Sequence, residues 1–204
     1  MNTPTKDRKI AMRSTLRRLR QDYVLQHADE VERECATLTK YAQELVELHA
    51  KTLYGDYASN PATKVVIASF KPHSSEINPG HLEQALKKLG HDIVWPRVEG
   101  KNLKFLSADQ ASDFVLSSFG LLEPGPSATE RVPSHILMPL LGFDGQGQRL
   151  GQGGGFYDRT LKRLGANVLA IGLSWDCQEV ANIPVEAHDM PIAGVITPST
   201  FHHF

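Results

Sequence analysis

His135-Ile-Leu-Met-Pro-Leu-Leu141, then Gly142-Phe-Asp-Gly-Gln-Gly-Gln-Arg-Leu-Gly-Gln-Gly-Gly-Gly155, then Phe156-Tyr-Asp-Arg-Thr-Leu-Lys-Arg-Leu164, is the stretch on which the reading of the fold turns. The first piece is an apolar run of strand length. The second carries seven glycines in fourteen residues. The third reads as a helix from about Gly155 to Leu164, closed by Gly165. Strand, glycine-rich loop and helix in that order make one β-to-α unit, and the rest of the chain repeats the theme.

Upstream, Lys64–Phe70 is a β-branched apolar strand run. Asn78-Pro79 opens a helix through Leu89, with Gly90 behind it: cap, Pro at the first helical position and Gly at the end. His91–Trp95 reads as a strand stopped by Pro96, and Leu103–Leu106 as its neighbour after the Glu99-Gly100 turn. Ser117–Val132 reads as a loop. Downstream come a strand at Val168–Leu173, a short helix at Asp176–Ala181 and a last strand at Ala193–Thr197, with His202 and His203 in a disordered tail. The first 50 residues read as two helices. One carries a stripe of Met12, Leu16, Leu19 and Tyr23; the other carries Val31, Cys35, Leu38, Ala42 and Leu45, opened by an Asp29–Glu32 capping box.

Strands that alternate with helices predict an α/β fold: a three-layer α/β/α sandwich with a mostly parallel, Rossmann-like sheet and the N-terminal helices packed on one face. A single domain over 1–204 is expected, long enough to bury its own core. Ligands of such sheets bind at the carboxyl ends of the strands. Lys71–Glu76, Gly142–Gly155 and Ser174–Gln178 all fall there.

Charge and composition remove several classes. The formal net charge is −1, from 22 Lys+Arg against 23 Asp+Glu, so no global attraction to nucleic acid or an anionic membrane is expected. Cys35 and Cys177 are too few for a disulfide scaffold or a four-cysteine zinc site. Met1–Arg20 has no apolar core of a leader, and no apolar run approaches the roughly 20 residues of a membrane span. A reducing cytoplasmic setting follows as the default.

The glycines let backbone N–H groups crowd toward a ligand ahead of a helix N-terminus, an arrangement suited to phosphate. Neither the Walker A string nor the Gly-x-Gly-x-x-Gly fingerprint can be placed. Arg149 inside the loop can fork onto phosphate. Asp158 in the first turn of the helix can hold Mg²⁺ or simply complement the helix dipole. Lys9, Arg13, Arg17 and Arg20 fall on one narrow arc of the first helix; this is either a solvated basic face or a set of cations reaching the same phosphates. Trp95 and Trp175 read as packing residues near the binding edge, Cys177 as an unreactive thiol, and the nine histidines lack metal-site spacing.

Pro139-Leu-Leu-Gly-Phe-Asp144 with Arg149-Leu-Gly-Gln-Gly-Gly-Gly-Phe-Tyr-Asp-Arg159 resembles the signature of the 5-formyltetrahydrofolate cyclo-ligase family, also called methenyltetrahydrofolate synthetases. Lys9-x-x-x-Arg13, Glu76 and the tail segments around Ile171, Gln178, Ile183, Asp189 and Val195 match in order, so the resemblance spans residues 9 to 198. It implies an ATP- and Mg²⁺-dependent closure of 5-formyltetrahydrofolate to 5,10-methenyltetrahydrofolate, with ADP and phosphate released. The formyl oxygen would take the γ-phosphoryl group, N10 would attack the activated carbon, and phosphate would leave. Positioning and charge neutralisation carry such a reaction, and no nucleophilic Ser or Cys is needed.

By the same resemblance, Lys9, Arg13 and Arg149 act on the phosphates as catalytic cations. ATP is wrapped by Arg149, Leu150, Gly151, Gln152, Gly153, Gly154, Gly155, Phe156 and Tyr157. Glu76 and Gln152 to Phe156 bind the folate, and Asp158 and Asp189 hold the metal. Partners are small molecules, with no nucleic acid or membrane and a monomer as the default. Two other readings stay open at this level: a folate- or nucleotide-binding relative without turnover, and a sugar-phosphate enzyme of similar architecture.

Overall fold

The computed structural model describes residues 4–54, 64–118 and 120–204. Among them runs a seven-stranded sheet. Its strands are β1 (Val66–Ala68), β2 (Asp92–Glu99), β3 (Asn102–Ser107), β6 (His135–Pro139), β9 (Leu169–Leu173), β10 (Gly194–Ile196) and β11 (Phe201–His203). Their order is β11-β10-β9-β6-β1-β2-β3. The five inner strands are parallel, and β3 and β11 pair antiparallel at the two edges. This is the mostly parallel α/β sheet expected.

Helices cover both faces. Against one face pack Cys35, Leu38, Ala42 and Leu45 from α2 (Val31–Thr37), a 3₁₀ turn at Leu38–Tyr41 and α3 (Ala42–Tyr54), with Leu82 and Leu86 of α4 (Gly80–Lys88). Each such fully buried aliphatic side chain contributes about 1.5–3 kcal/mol. Against the other face packs Leu161 of α5 (Phe156–Leu164), with Tyr157 and Leu164 beside it. The first helix, α1 (Thr5–Gln26), belongs to neither layer. Leu16 packs on Leu141, Leu150 and Ile183 beyond the strand ends. Its buried residues are Lys9, Leu16 and Arg20, while Leu19 of the expected apolar stripe is 41% exposed. The helix covers a cleft rather than a sheet face, so its inward side is partly cationic.

Several boundaries differ from expectation, each for a local reason. β2 does not stop at Pro96. Val94 O accepts the Ser69 N–H from the β1 side, and the pleat puts the Pro96 nitrogen on that same side, past the end of β1, where no ladder bond is lost. The expected 117–132 loop contains β5 (Leu122–Pro124), which pairs with β4 (Phe114–Leu116) in a small ribbon; Phe119 lies outside the described residues. Pro79 sits one place before α4, and Asn78 Oδ1 caps the Gly80 N–H at 2.9 Å. No Asp29–Glu32 capping box forms; His27 O accepts the Glu30 and Val31 N–H groups instead. The Asp176–Ala181 helix shrinks to a 3₁₀ turn at Asp176–Gln178. His202 and His203 are not a loose tail but part of β11, with His203 Nε2 at 2.8 Å from Glu44.

β1 is followed by β2 on one side and, after an excursion, by β6 on the other. The strand order switches from one side of β1 to the other between these two connections, all three strands running parallel, and the crevice at such a switch point is where open α/β sheets place their ligands.

Candidate active site

The loop after β6 is built in two parts. Its first part is a hairpin, β7 (Gly142–Phe143) against β8 (Arg149–Leu150). Asp144 staples the turn: Oδ1 accepts the Gln146 and Gln148 N–H groups at 3.0 and 3.1 Å, and Oδ2 accepts the Ile183 N–H at 2.9 Å. Gly142 is forced by proximity, since a Cβ there would lie 2.7 Å from Leu16 of α1. The second part, Gly151–Gly155, has Gln152 as its one side chain and leads into α5. Gly153 has φ +101°, a conformation costly for any L side chain.

Below this loop lies a cavity of about 570 Å³ lined by residues of α1, the Lys71–Glu76 loop, β2, β5, β6, the glycine loop and the 186–189 turn. All four cations of the α1 arc line it. Lys9 is 3% exposed. Its ammonium donates to Glu186 at 3.0 Å and to Asp189. Arg13 Nε donates to Gly151 O at 2.9 Å and Arg17 to Gln152 Oε1 at 2.8 Å. Arg20 donates to Ser75 Oγ and Leu140 O, tying together the loops after β1 and β6; burial lowers its pKa. The solvated-face alternative is therefore set aside for Lys9 and Arg20, while Arg13 is half-buried and Arg17 remains exposed.

Arg149 is enclosed although it follows a turn of the glycine-rich loop. It is 8% exposed, with Nε against Met138 Sδ and NH2 donating to Asp158 Oδ1 at 2.8 Å. Asp158 Oδ1 also accepts the Met190 N–H. Asp189 is drawn two ways: burial pushes its carboxyl upward, but Lys9 and the Glu186 N–H outweigh that and hold it below the usual range. Glu186, His188 and Asp189 bring ligand atoms within 4.8 Å of one another. Two carboxylates, Glu186 and Asp189, facing the cavity fit Mg²⁺, which takes one or two carboxylates and completes its shell with waters and phosphate oxygens. Glu76 Oε2 accepts the His73 N–H at 3.0 Å, with Arg20 3.7 Å from its other oxygen. The turn holding it includes Ser74 at φ +56°.

The cleft thus gathers Lys9, Glu76, Arg13, Asp189, Asp158 and Arg149 through Tyr157 along one cavity. It also collects Glu123 and His188, which no motif signalled. Trp95 and Trp175 do not line it. Their N–H groups go to Glu83 and Ser75 O in the core. Cys177 is pushed up to about 11 by burial, with the Asp176 carboxylate adding to it, so no thiolate is on offer.

The profile of the 5-formyltetrahydrofolate cyclo-ligase family matches residues 5–198. The chain belongs to that family. It is therefore an enzyme of the cyclo-ligase type, connected by family to folate one-carbon chemistry. The 5-formyltetrahydrofolate cyclo-ligase of Escherichia coli K12 is 34% identical over 141 residues, covering 65% of this chain and 78% of that protein. Its counterpart from Haemophilus influenzae is 31% identical over 138 residues, covering 64% and 74%. In fold, the chain superposes on the 5,10-methenyltetrahydrofolate synthetase of Aquifex aeolicus with a TM-score of 0.73 at 23% identity, over 96% of this chain and 92% of that one. The synthetase of Mycoplasma pneumoniae gives 0.57 at 20% identity, over 93% and 98%. Among the described residues no helix is long and apolar enough to cross a membrane.

Proposed function

We propose that the chain closes 5-formyltetrahydrofolate to 5,10-methenyltetrahydrofolate, using ATP and releasing ADP and phosphate, as a single cytoplasmic domain that works on small molecules as a monomer. The observation that carries this reading is the convergence of Lys9, Arg13, Arg149 and the bare amides of Gly151–Gly155 on one cleft, in a chain of the cyclo-ligase family.

In this reading the amides and the three cations hold the triphosphate. Their fixed charges lie where negative charge spreads during phosphoryl transfer, so little reorganisation is required. The Asp158 carboxylate keeps the Arg149 fork aimed. Glu186 and Asp189 would hold Mg²⁺, with Asp158 Oδ2 the third candidate oxygen. The ion would supply charge neutralisation at the phosphates. With Glu186 and Asp189 holding the ion, the Lys9 ammonium that now pairs with them would be available to a phosphate oxygen. Glu76 accepts N–H donors of the pterin ring, and Phe156 offers a ring face for stacking. Transfer of the γ-phosphoryl to the formyl oxygen makes a leaving group. N10 then bonds to the formyl carbon and gives up its proton to solvent, the carbon–oxygen bond breaks, and phosphate departs.

The test is the appearance of methenyltetrahydrofolate absorbance from 5-formyltetrahydrofolate, with ATP and Mg²⁺ omitted in turn. Product formed only when all three are present is the expected result. Calorimetric binding of folate or ATP with no phosphate release would instead establish a binder without turnover.

A further inference from the structure

A further carboxylate, that of Glu123, faces the same crevice. β1 ends at Ala68 while β2 runs on to Glu99, which leaves the β1-facing edge of β2 bare beyond Val94. Along that edge Pro96 has no N–H to give, and the Val98 N–H goes to Glu123 Oε1 at 3.4 Å. The Glu123 carboxylate therefore stands where β1 would have continued, at the switch point between β1 and β6.

Glu123 is 5% exposed, yet its contacts are long. Beyond the Val98 N–H, its other oxygen lies 3.9 Å from Arg97, whose NH1 is already committed to Pro124 O at 2.7 Å. Asp144 shows what a buried carboxylate of this protein collects when it serves structure alone: three backbone N–H donors at 2.9–3.1 Å. A carboxylate offers about four acceptor sites, and buried ones are ordinarily filled. Glu123 keeps most of its capacity unused beside a cavity whose walls include Pro96, Val98, Leu103, Met138 and Phe156. Apolar wall residues with an acceptor-only group among them suit a planar ring presenting an N–H edge.

We propose that Glu123 is a specificity residue that accepts N–H donors from the amino edge of a planar heterocycle bound in this crevice. The inference rests on the proposed function, under which two substrates carry such an edge: the pterin of the folate and the adenine of ATP.

The test is calorimetric titration of the wild-type chain and Glu123→Gln with four ligands: 5-formyltetrahydrofolate, its 2-desamino analogue, ATP and inosine triphosphate. The substitution keeps the shape but replaces one acceptor oxygen by a donor. Glu123→Gln is expected to weaken either the folate or ATP by about 10- to 100-fold. The penalty should vanish for the matching analogue that lacks the amino group. A folate-specific loss assigns the pterin; an ATP-specific loss assigns the adenine. Equal loss for amino and desamino ligands, or no loss for either substrate, overturns the proposal. If Glu123→Gln melts at too low a temperature to titrate, Glu123→Asp shortens the reach without removing the charge and must show the same selectivity. Binding intact without turnover would defeat the catalytic reading alone, whereas no binding of any ligand by the wild-type chain would defeat both.

Discussion

The two ends of the parallel sheet use the same ionic chemistry in opposite ways. At the amino ends, Asp92 pairs with Lys64 at 2.9 Å and Arg131 at 3.1 Å, with side chains 30–60% exposed. At the carboxyl ends, Lys9 meets Glu186 and Asp189, and Arg149 meets Asp158, with cation side chains only 4–5% exposed. Exposed pairs contribute little, because water screens them and two side chains must be ordered. Enclosed cations are expensive to desolvate, and stability alone seldom justifies them. The contrast singles out the carboxyl end, where the proposed substrates would meet enclosed charge.

The largest effect should come from Lys9→Met, which leaves two enclosed carboxylates facing each other. Turnover is expected to fall about 100-fold or more. Stability should drop by about 2–4 kcal/mol, under the range for a fully enclosed pair because Glu186 is 32% exposed. Near-normal turnover in a steady-state assay would erase the distinction between the two ends. Next, Arg149→Ala should destabilise the chain by about 3 kcal/mol and weaken ATP use. Combined with Asp158→Asn, it should depart from additivity by about 0.5–3 kcal/mol in denaturant melts, since each partner is lost only once; strictly additive values would mean the pair does not act as a unit.

Gly153→Ala probes the bare half of the loop. The new Cβ would sit in left-handed backbone, 3.3 Å from the Arg13 guanidinium carbon. A severalfold rise in KM for ATP is expected, with a stability loss of about 1–3 kcal/mol from the left-handed backbone; an unchanged KM would detach the loop from the nucleotide. Smallest of all, Asp92→Asn should cost under about 1 kcal/mol. Lys64 first, then Arg131, holds the Asp92 carboxyl below its usual range despite a contrary push from burial. Its contribution is therefore present above the ordinary carboxylate range and disappears as pH falls through the lowered folded value. Salt should reduce it as well, and melts at low and high ionic strength would reveal any larger, unscreened role.

The β6–loop–α5 unit, the helix from residue 80 and the parallel sheet were legible in advance because each rests on local pattern: apolar runs, glycine punctuation and helical spacing. What stayed hidden depends on partners distant in the chain. Nothing near Pro96 says that β1 ends early enough to spare its missing N–H. Nothing near Arg149 says that Met138 and Asp158 enclose it. The apolar stripe of α1 pointed to Leu19, while the helix turns Lys9 and Arg20 inward because it spans a cleft. Glu123 escaped notice because its place is set by a β-ribbon and by the length of β1, neither of which leaves a local mark. The 186–189 cluster was half visible through Asp189, and only the turn's geometry adds Glu186 and His188.

The Asp144-stapled hairpin has one last implication. Gly147 O accepts the Ile192 N–H, so nine of the fourteen residues in the glycine-rich segment are already immobilised before anything enters the cleft. Only the five from Gly151 to Gly155, held by Arg13, Arg17 and Arg159 rather than by a ladder, are left to adjust to an incoming ligand. At about 1–2 kcal/mol of backbone entropy per residue, a preformed hairpin spares the association a penalty that would otherwise rival the binding free energy of a micromolar complex.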